Sequence, residues 1–386
     1  MKCAVAHALV FFISSSAGSA MSAEDTPEVA EETKTFADRL DIGARLFLDA
    51  DHYGSFWDRG DDSTTSEAEI RNARIEINYD FPMGWEGRLQ VDASKDSNDA
   101  DIDLGSAYIR YNKWRYGDFT LGKTKEAIGL ERNTSADRIL TIERSMASAA
   151  FTPGKSWGLH LRDGNKKRFW AFSYMQEDDQ DDDYEESTPT AVSGRFVWYP
   201  RNTDTETIHV GASASSRDLN GNDYRIAERA EVDTGDRVSR SAEFAADTAT
   251  IYGLEGIWQR GSALLQAEYL ATNVEEVTGR EWDFNGYYVT GSYFLTGEAH
   301  RLRDGGLRRV KTKGRRAWEL VARYSFLDAR DNGLGSETSV ATLGVNYYHG
   351  EHIRIMLALL KPDISGDVVH RDPEGEAISL RFQVNY

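Results

Sequence analysis

The last nine residues of the chain constrain its fold most. Ile378, Leu380, Phe382, Val384 and Tyr386 have one parity; Ser379, Arg381, Gln383 and Asn385 have the other. A period of two marks a strand with two unlike faces. Five alternating apolar residues ending on a terminal aromatic are uncommon in a soluble sandwich. They suit a strand between lipid and a wet lumen. Trp85, Gly87, Leu89, Val91 and Ala93 alternate with Glu86, Arg88, Gln90 and Asp92. Trp318, Leu320, Ala322, Tyr324 and Phe326 alternate with Glu319, Val321, Arg323 and Ser325. Ile353, Ile355, Leu357 and Leu359 alternate with Arg354 and Met356. Runs this polar on one face cannot form a sheet buried on both sides.

The connections alternate short and long. Phe81-Pro82-Met83-Gly84, residues 163–166, Arg260-Gly261 and His349-Gly350 are short turns. Residues 49–66, 125–155, 177–190 and 217–247 are long and polar. A bacterial barrel has short periplasmic turns and long outer loops, with an even strand number. The expected fold is therefore all-β, a transmembrane antiparallel barrel of about sixteen strands over residues 39–386. The connection 296–314 breaks the rule: it is long, yet falls on the periplasmic side unless a strand hides in it.

Residues 1–20 read as a secretory signal peptide: Lys2, an apolar run, then Gly18-Ser19-Ala20. Cys3, the only cysteine of the 386 residues, would leave with it, so no disulfide framework is expected. Residues 21–38 read as a disordered acidic lead-in. No stretch has about 18 consecutive apolar residues, so no transmembrane helix is expected. A net charge of −19 argues against nucleic-acid binding.

Several segments, taken in order, resemble the phosphate-selective porin O and P family. The most specific is Gly286-Tyr287-Tyr288-Val289-Thr290-Gly291-Ser292-Tyr293-Phe294-Leu295-Thr296-Gly297-Glu298. It is followed by Ala317-Trp318-Glu319-Leu320-Val321-Ala322-Arg323-Tyr324-Ser325 and Leu343-Gly344-Val345-Asn346-Tyr347-Tyr348. Upstream, Ala107-Tyr108-Ile109-Arg110-Tyr111, Leu121-Gly122-Lys123-Thr124-Lys125, Gly129-Leu130-Glu131 and Ile142-Glu143-Arg144-Ser145 are similar too. The resemblance implies a sixteen-stranded homotrimeric porin of the Gram-negative outer membrane, with its third loop folded into the lumen. It implies anion selectivity, with phosphate or polyphosphate as solute. Arg71-Asn72-Ala73-Arg74 departs from the adjacent arginines that the family often carries there. The terminal strand resembles the signal read by the outer-membrane assembly machinery. Lipid and lipopolysaccharide would surround the barrel.

With the apolar parity outward, Arg45, Arg74, Arg88, Arg110, Arg162, Arg195, Arg323, Arg354 and Arg381 point inward. They form either a basic track for anions or cross-strand ion pairs with Asp41, Glu76, Glu86, Asp92, Glu255, Glu268 and Glu319. The segment 123–155 carries Lys123, Lys125, Arg132, Arg138, Arg144 and Lys155 and is the candidate constriction, with an exposed outer loop as the alternative. Thr134 with Asp137, then Ile139, Ile142 and Met146 at helical spacing, predicts a short helix there. The pore or anion-binding set is Arg45, Arg74, Arg88, Arg110, Lys123, Lys125, Arg132, Arg138, Arg162 and Arg323. The acidic run at residues 178–186 reads as a solvated loop, or as a site for divalent cations that bridge lipopolysaccharide. The basic connection with Arg301, Arg303, Arg308, Arg309, Lys311, Lys313, Arg315 and Arg316 could draw anions from the exit, or is a solvated turn or a contact with anionic lipid or a partner. No metal, cofactor or catalytic constellation is expected, since the histidines show no ligand spacing such as His-Glu-x-x-His. A general or carboxylate-uptake porin and a plugged structural or adhesion barrel are the alternatives.

Overall fold

The computed structural model describes residues 35–58, 64–95, 100–177, 188–366 and 375–386. The expected leader, most of the expected lead-in and the acidic run at 178–186 lie outside the described residues. Residues 35–38, read as the end of the disordered lead-in, are instead part of a helical turn. Phe36–Arg39 is helical and Thr35 caps it in a reciprocal box with Asp38.

Sixteen long strands follow: β1 Leu40–Tyr53, β2 Thr65–Phe81, β3 Trp85–Lys95, β4 Ala100–Tyr111, β5 Asp118–Lys125, β6 Lys155–Gly164, β7 Arg168–Gln176, β8 Thr190–Asn202, β9 Glu206–Asp218, β10 Phe244–Arg260, β11 Ala263–Glu276, β12 Glu281–Phe294, β13 Arg316–Asp328, β14 Ser336–His349, β15 Ile353–Gly366 and β16 Ala377–Asn385. Each is antiparallel to its sequence neighbour, and β1 pairs with β16 from Arg45↔Asn385 to Tyr53↔Ala377. The sheet is thus a closed barrel without a free edge, so every rung of the ladder has a partner inside lipid. Tyr386 completes the seam: its N–H donates to the Ala44 carbonyl at 2.8 Å.

The period-two facing holds. Leu89, Leu320, Leu357, Leu359, Ile378 and Leu380 are exposed on the outer face, while Glu319, Arg323, Arg354, Ser379 and Arg381 are buried inside. We therefore expect Leu89→Arg or Leu320→Arg to cost about 2–4 kcal/mol near the midplane. Urea titration of refolding into vesicles measures this, and an unchanged midpoint would invert the facing.

Not all of the lumen is wet. Inward residues of β11–β15 such as Leu270, Trp282, Phe284, Leu327 and Met356 pack with Met146 and Phe151 of the third outer loop. Phe56 and Trp57 of the first loop, and Ile226, Val232 and Val238 of the fifth, join the same cluster. One side of the barrel thus holds an apolar core, and the space left open lies against β1–β6.

The connection 295–315 hides no barrel strand. It carries a small hairpin, Leu302–Arg303 paired with Gly306–Leu307, turned by Asp304 (φ 52°) and Gly305 (φ 73°). Asp-Gly with two left-handed residues is the turn that suits a two-residue hairpin. Leu307 is buried with Leu130, Leu140, Ile257, Leu264 and Val321, so this periplasmic hairpin folds up into the barrel.

Candidate functional site

Two segments narrow the lumen: the third loop, residues 126–154, and the periplasmic hairpin. The loop's helical turns are Leu130–Asn133 and Met146–Phe151, the latter capped by the Ser145 hydroxyl. The helix expected from Thr134 onward does not form. The Thr134 hydroxyl donates back to the Leu130 carbonyl at 3.0 Å, so it closes a turn behind it. Ile139, Leu140, Ile142 and Met146 nevertheless bury their side chains as a loop lying on the wall requires.

Polar anchors then fix the loop. Glu268 of β11 accepts from the Leu130 and Glu131 amides at 2.7 and 3.1 Å. Glu131 accepts from the Ser145 amide at 2.8 Å and pairs with Arg323 of β13. Arg323 also donates to the Glu143 carbonyl at 3.0 Å and lies 3.6 Å from Glu231 of the fifth loop. Arg354 of β15 donates to the Ile139 and Leu140 carbonyls at 2.8 and 3.1 Å. Arg381 of β16 binds Asp49 through two nitrogens and reaches Glu143. A bulge between Phe47 and Leu48 leaves Arg71 without a register partner. Arg71 meets Glu143 and Asp233, each at 3.0 Å. Burial alone would raise the Glu143 carboxyl, but Arg71 and Arg381 outweigh it and hold the group well below the usual carboxylate range.

The hairpin is held at both ends. At its base His300 meets Glu319 of β13 at 2.6 Å. At its tip the Gly305 amide donates to the Tyr199 hydroxyl at 2.9 Å, and Arg195 of β8 donates to the Gly305 carbonyl. Arg195 in turn pairs with Glu255 of β10, as does His209. The hairpin therefore bridges the barrel interior from β13 to β8.

Between these segments and β1–β6 lies an open cavity of about 440 Å³. Eleven Arg and Lys side chains line it against four side-chain carboxylates. The cations are Arg45, Arg74, Arg88, Arg110 and Arg162 from the wall, Lys125 and Lys155 from the ends of β5 and β6, Arg138 from the loop, and Arg303, Arg308 and Arg309 from the hairpin. The carboxylates are Glu76, Glu86, Asp137 and Asp304. Asp92 and Asp118, set behind the lining, bind Arg74 and Arg162. Counting these two leaves a surplus of five positive charges among the side chains. Tyr108 stands between Arg88 and Arg110, 6.0 and 4.8 Å from its ring centre, and both donate to its hydroxyl.

Seven of the ten residues named from sequence share this cavity: Arg45, Arg74, Arg88, Arg110, Lys125, Arg138 and Arg162. Three do not line it. Lys123 is buried, with Ala107 and Trp157 as register partners and Asp103 at 3.5 Å. Arg132 lies in the first helical turn of the loop, its carbonyl accepting from Lys125. Arg323 is a buried anchor of the loop. The hairpin arginines, read from sequence as an exit mouth, reach the cavity itself. Asp304-Gly305 was the signal that could have placed them there.

The model of one family, described as "Phosphate-selective porin O and P", matches residues 40–386. The chain belongs to the phosphate-selective porin O and P family. It is an outer-membrane porin of a Gram-negative bacterium, and the barrel is its channel wall. Porin O of Pseudomonas aeruginosa is 25% identical over 92% of this chain and 90% of its own length. The trimer form of OmpT from Vibrio cholerae is 12% identical with a TM-score of 0.56, covering 90% of this chain and 99% of that one. An anion-selective porin from Comamonas acidovorans is 11% identical with a TM-score of 0.56, over the same shares of the two chains. At such identities these structures speak to the porin fold alone.

Proposed function

We propose that this porin is a passive, anion-selective diffusion channel, with phosphate as the solute class that the family description suggests. One observation carries the reading: a chain of net charge −19 keeps a surplus of cations around the lumen cavity that the third loop and the periplasmic hairpin narrow. Charge on outer loops is screened within about 8 Å at physiological ionic strength. Charge in a narrow cavity with low-dielectric walls is focused on the passing ion. Local charge therefore sets the sign of the selectivity.

Arg45, Arg74, Arg88, Arg110, Lys125, Arg138 and Arg162 are the side chains proposed to meet the anion. The leader at residues 1–20 would direct export. The terminal strand would engage the assembly machinery, and the barrel would trimerise among lipid and lipopolysaccharide. Planar-bilayer recording tests the solute class. Stepwise chloride conductance reduced by millimolar phosphate more than by equimolar acetate or succinate is expected. Equal reduction by the carboxylates would favour a general or carboxylate-uptake porin, and no steps a plugged barrel.

A further inference from the structure

The wall arginines and the hairpin arginines differ in how their charge is used. On the wall, Arg74, Arg88, Arg110 and Arg162 face Asp92, Glu76, Glu86 and Asp118 respectively. Four guanidiniums thus meet four carboxylates, and that part of the lumen is nearly balanced. At the junction of the third loop and the hairpin the count is different. Arg45, Arg138 and Arg309 share a single carboxylate, Asp137, at 3.6, 3.5 and 3.7 Å. Arg303 and Arg308 share Asp304. Five arginines on two carboxylates hold three of the five surplus charges of the cavity.

Hydrogen bonding leaves an unpartnered donor at the same place. The Nε atom of Arg308, on the hairpin, is buried without a hydrogen-bond partner, and that of Arg138, on the loop, is buried with only the 3.5 Å ion-pair contact to Asp137. Both residues also line, with Arg309 and residues 301–304, a second cavity of about 560 Å³. A guanidinium can bind an oxyanion through two parallel N–H bonds. A donor left bare in a buried position costs free energy that an acceptor would recover.

We infer that the junction of the third loop and the periplasmic hairpin is a binding station for a doubly charged tetrahedral oxyanion, built from Arg138, Arg308 and Arg309. The hairpin, rather than the carboxylate-paired wall arginines, then sets how strongly a divalent anion is held. The inference rests on the anion-channel reading and deepens it. Because Gly305 is tied to Tyr199 and Arg195 across the lumen, the station exists only while the hairpin is docked.

The test is the concentration of inorganic phosphate that halves chloride current through the full-length porin in planar bilayers. Arg308→Gln with Arg309→Gln is expected to raise it about tenfold, the loss of one to two charge-assisted bonds. Arg88→Gln with Arg110→Gln should raise it less than about threefold, because their carboxylates already occupy them. If the hairpin double variant does not assemble, Arg309→Gln alone gives the same readout with a shift of about threefold. A hairpin shift no larger than the wall shift, in a channel that still prefers chloride to potassium, overturns the station and leaves the anion channel standing. A wild-type channel that prefers potassium overturns the reading beneath it as well.

Discussion

Changing Lys125 and Lys155 together to Glu is expected to lower the chloride-to-potassium permeability ratio at least about tenfold. Both ammonium groups line the cavity. Lys125 donates to the Arg132 and Thr134 carbonyls and has no carboxylate partner among the described residues. Lys155 shares Asp92 with Arg74. The exchange removes four charge units from a surplus of five. At about 8 Å each unit is worth roughly 0.5 kcal/mol even at the dielectric constant of water, and more beside a low-dielectric wall. Four units therefore shift ion partitioning by about 2 kcal/mol, which exceeds a factor of ten. Neutralising three of the acidic residues at 178–186 should leave the ratio within about twofold, since bulk salt screens an outer loop. A ratio unmoved by the lysine exchange would place control elsewhere in the lumen.

Arg323→Met should release the third loop in part. Arg323 is buried between Glu131 and Glu231 and also holds the Thr290 hydroxyl and the Glu143 carbonyl. Removing one partner of a buried ion pair costs about 3–5 kcal/mol because the other charge is left unpaired. Loop docking does not rest on this anchor alone. Ile139, Leu140, Ile142 and Met146 each add roughly 1.5–3 kcal/mol of apolar burial. The expected result is a folded barrel with a larger and noisier single-channel conductance, because the loop leaves the wall intermittently. A quiet channel of wild-type size would mean that apolar packing alone fixes the constriction. Arg88→Gln is the control: its partners Glu76 and Asn78 lie on the wall, so the loop should stay in place.

The contrast between Arg323 and Arg88 shows where sequence reading reaches its limit. Both have inward parity, and the alternation of Leu320 and Trp318 with Glu319 and Arg323 is enough to say so. What separates them is the material opposite each across the lumen, and Glu131 is 192 positions from Arg323. Strand parity is local and survives in a single sequence, whereas a loop anchor is a long-range pairing that leaves no local trace. The same limit explains Lys123, whose position beside Asp103 follows from the meeting of β4 and β5 rather than from its place at the loop entry.

The hairpin was missed for another reason. The length of residues 296–314 raised only a long periplasmic turn or a hidden barrel strand, although Asp304-Gly305 stood between Leu302 and Leu307 as the turn signal of a small hairpin. Glu319 is a further case. It lies inward as its parity requires, but it is fully buried and holds His300, Asn346 and Tyr348. Its replacement by Leu should therefore disturb the hairpin rather than act only on conductance.

The central claim is that the cations around the narrowed cavity, and not the net charge of the chain, decide which ions pass. The reversal potential of the wild-type channel in a planar bilayer under a tenfold potassium chloride gradient tests it most directly. Anion selectivity predicts the sign given by chloride permeating faster than potassium. The opposite sign, with potassium preferred, would contradict the account and give control of the pore to its carboxylates.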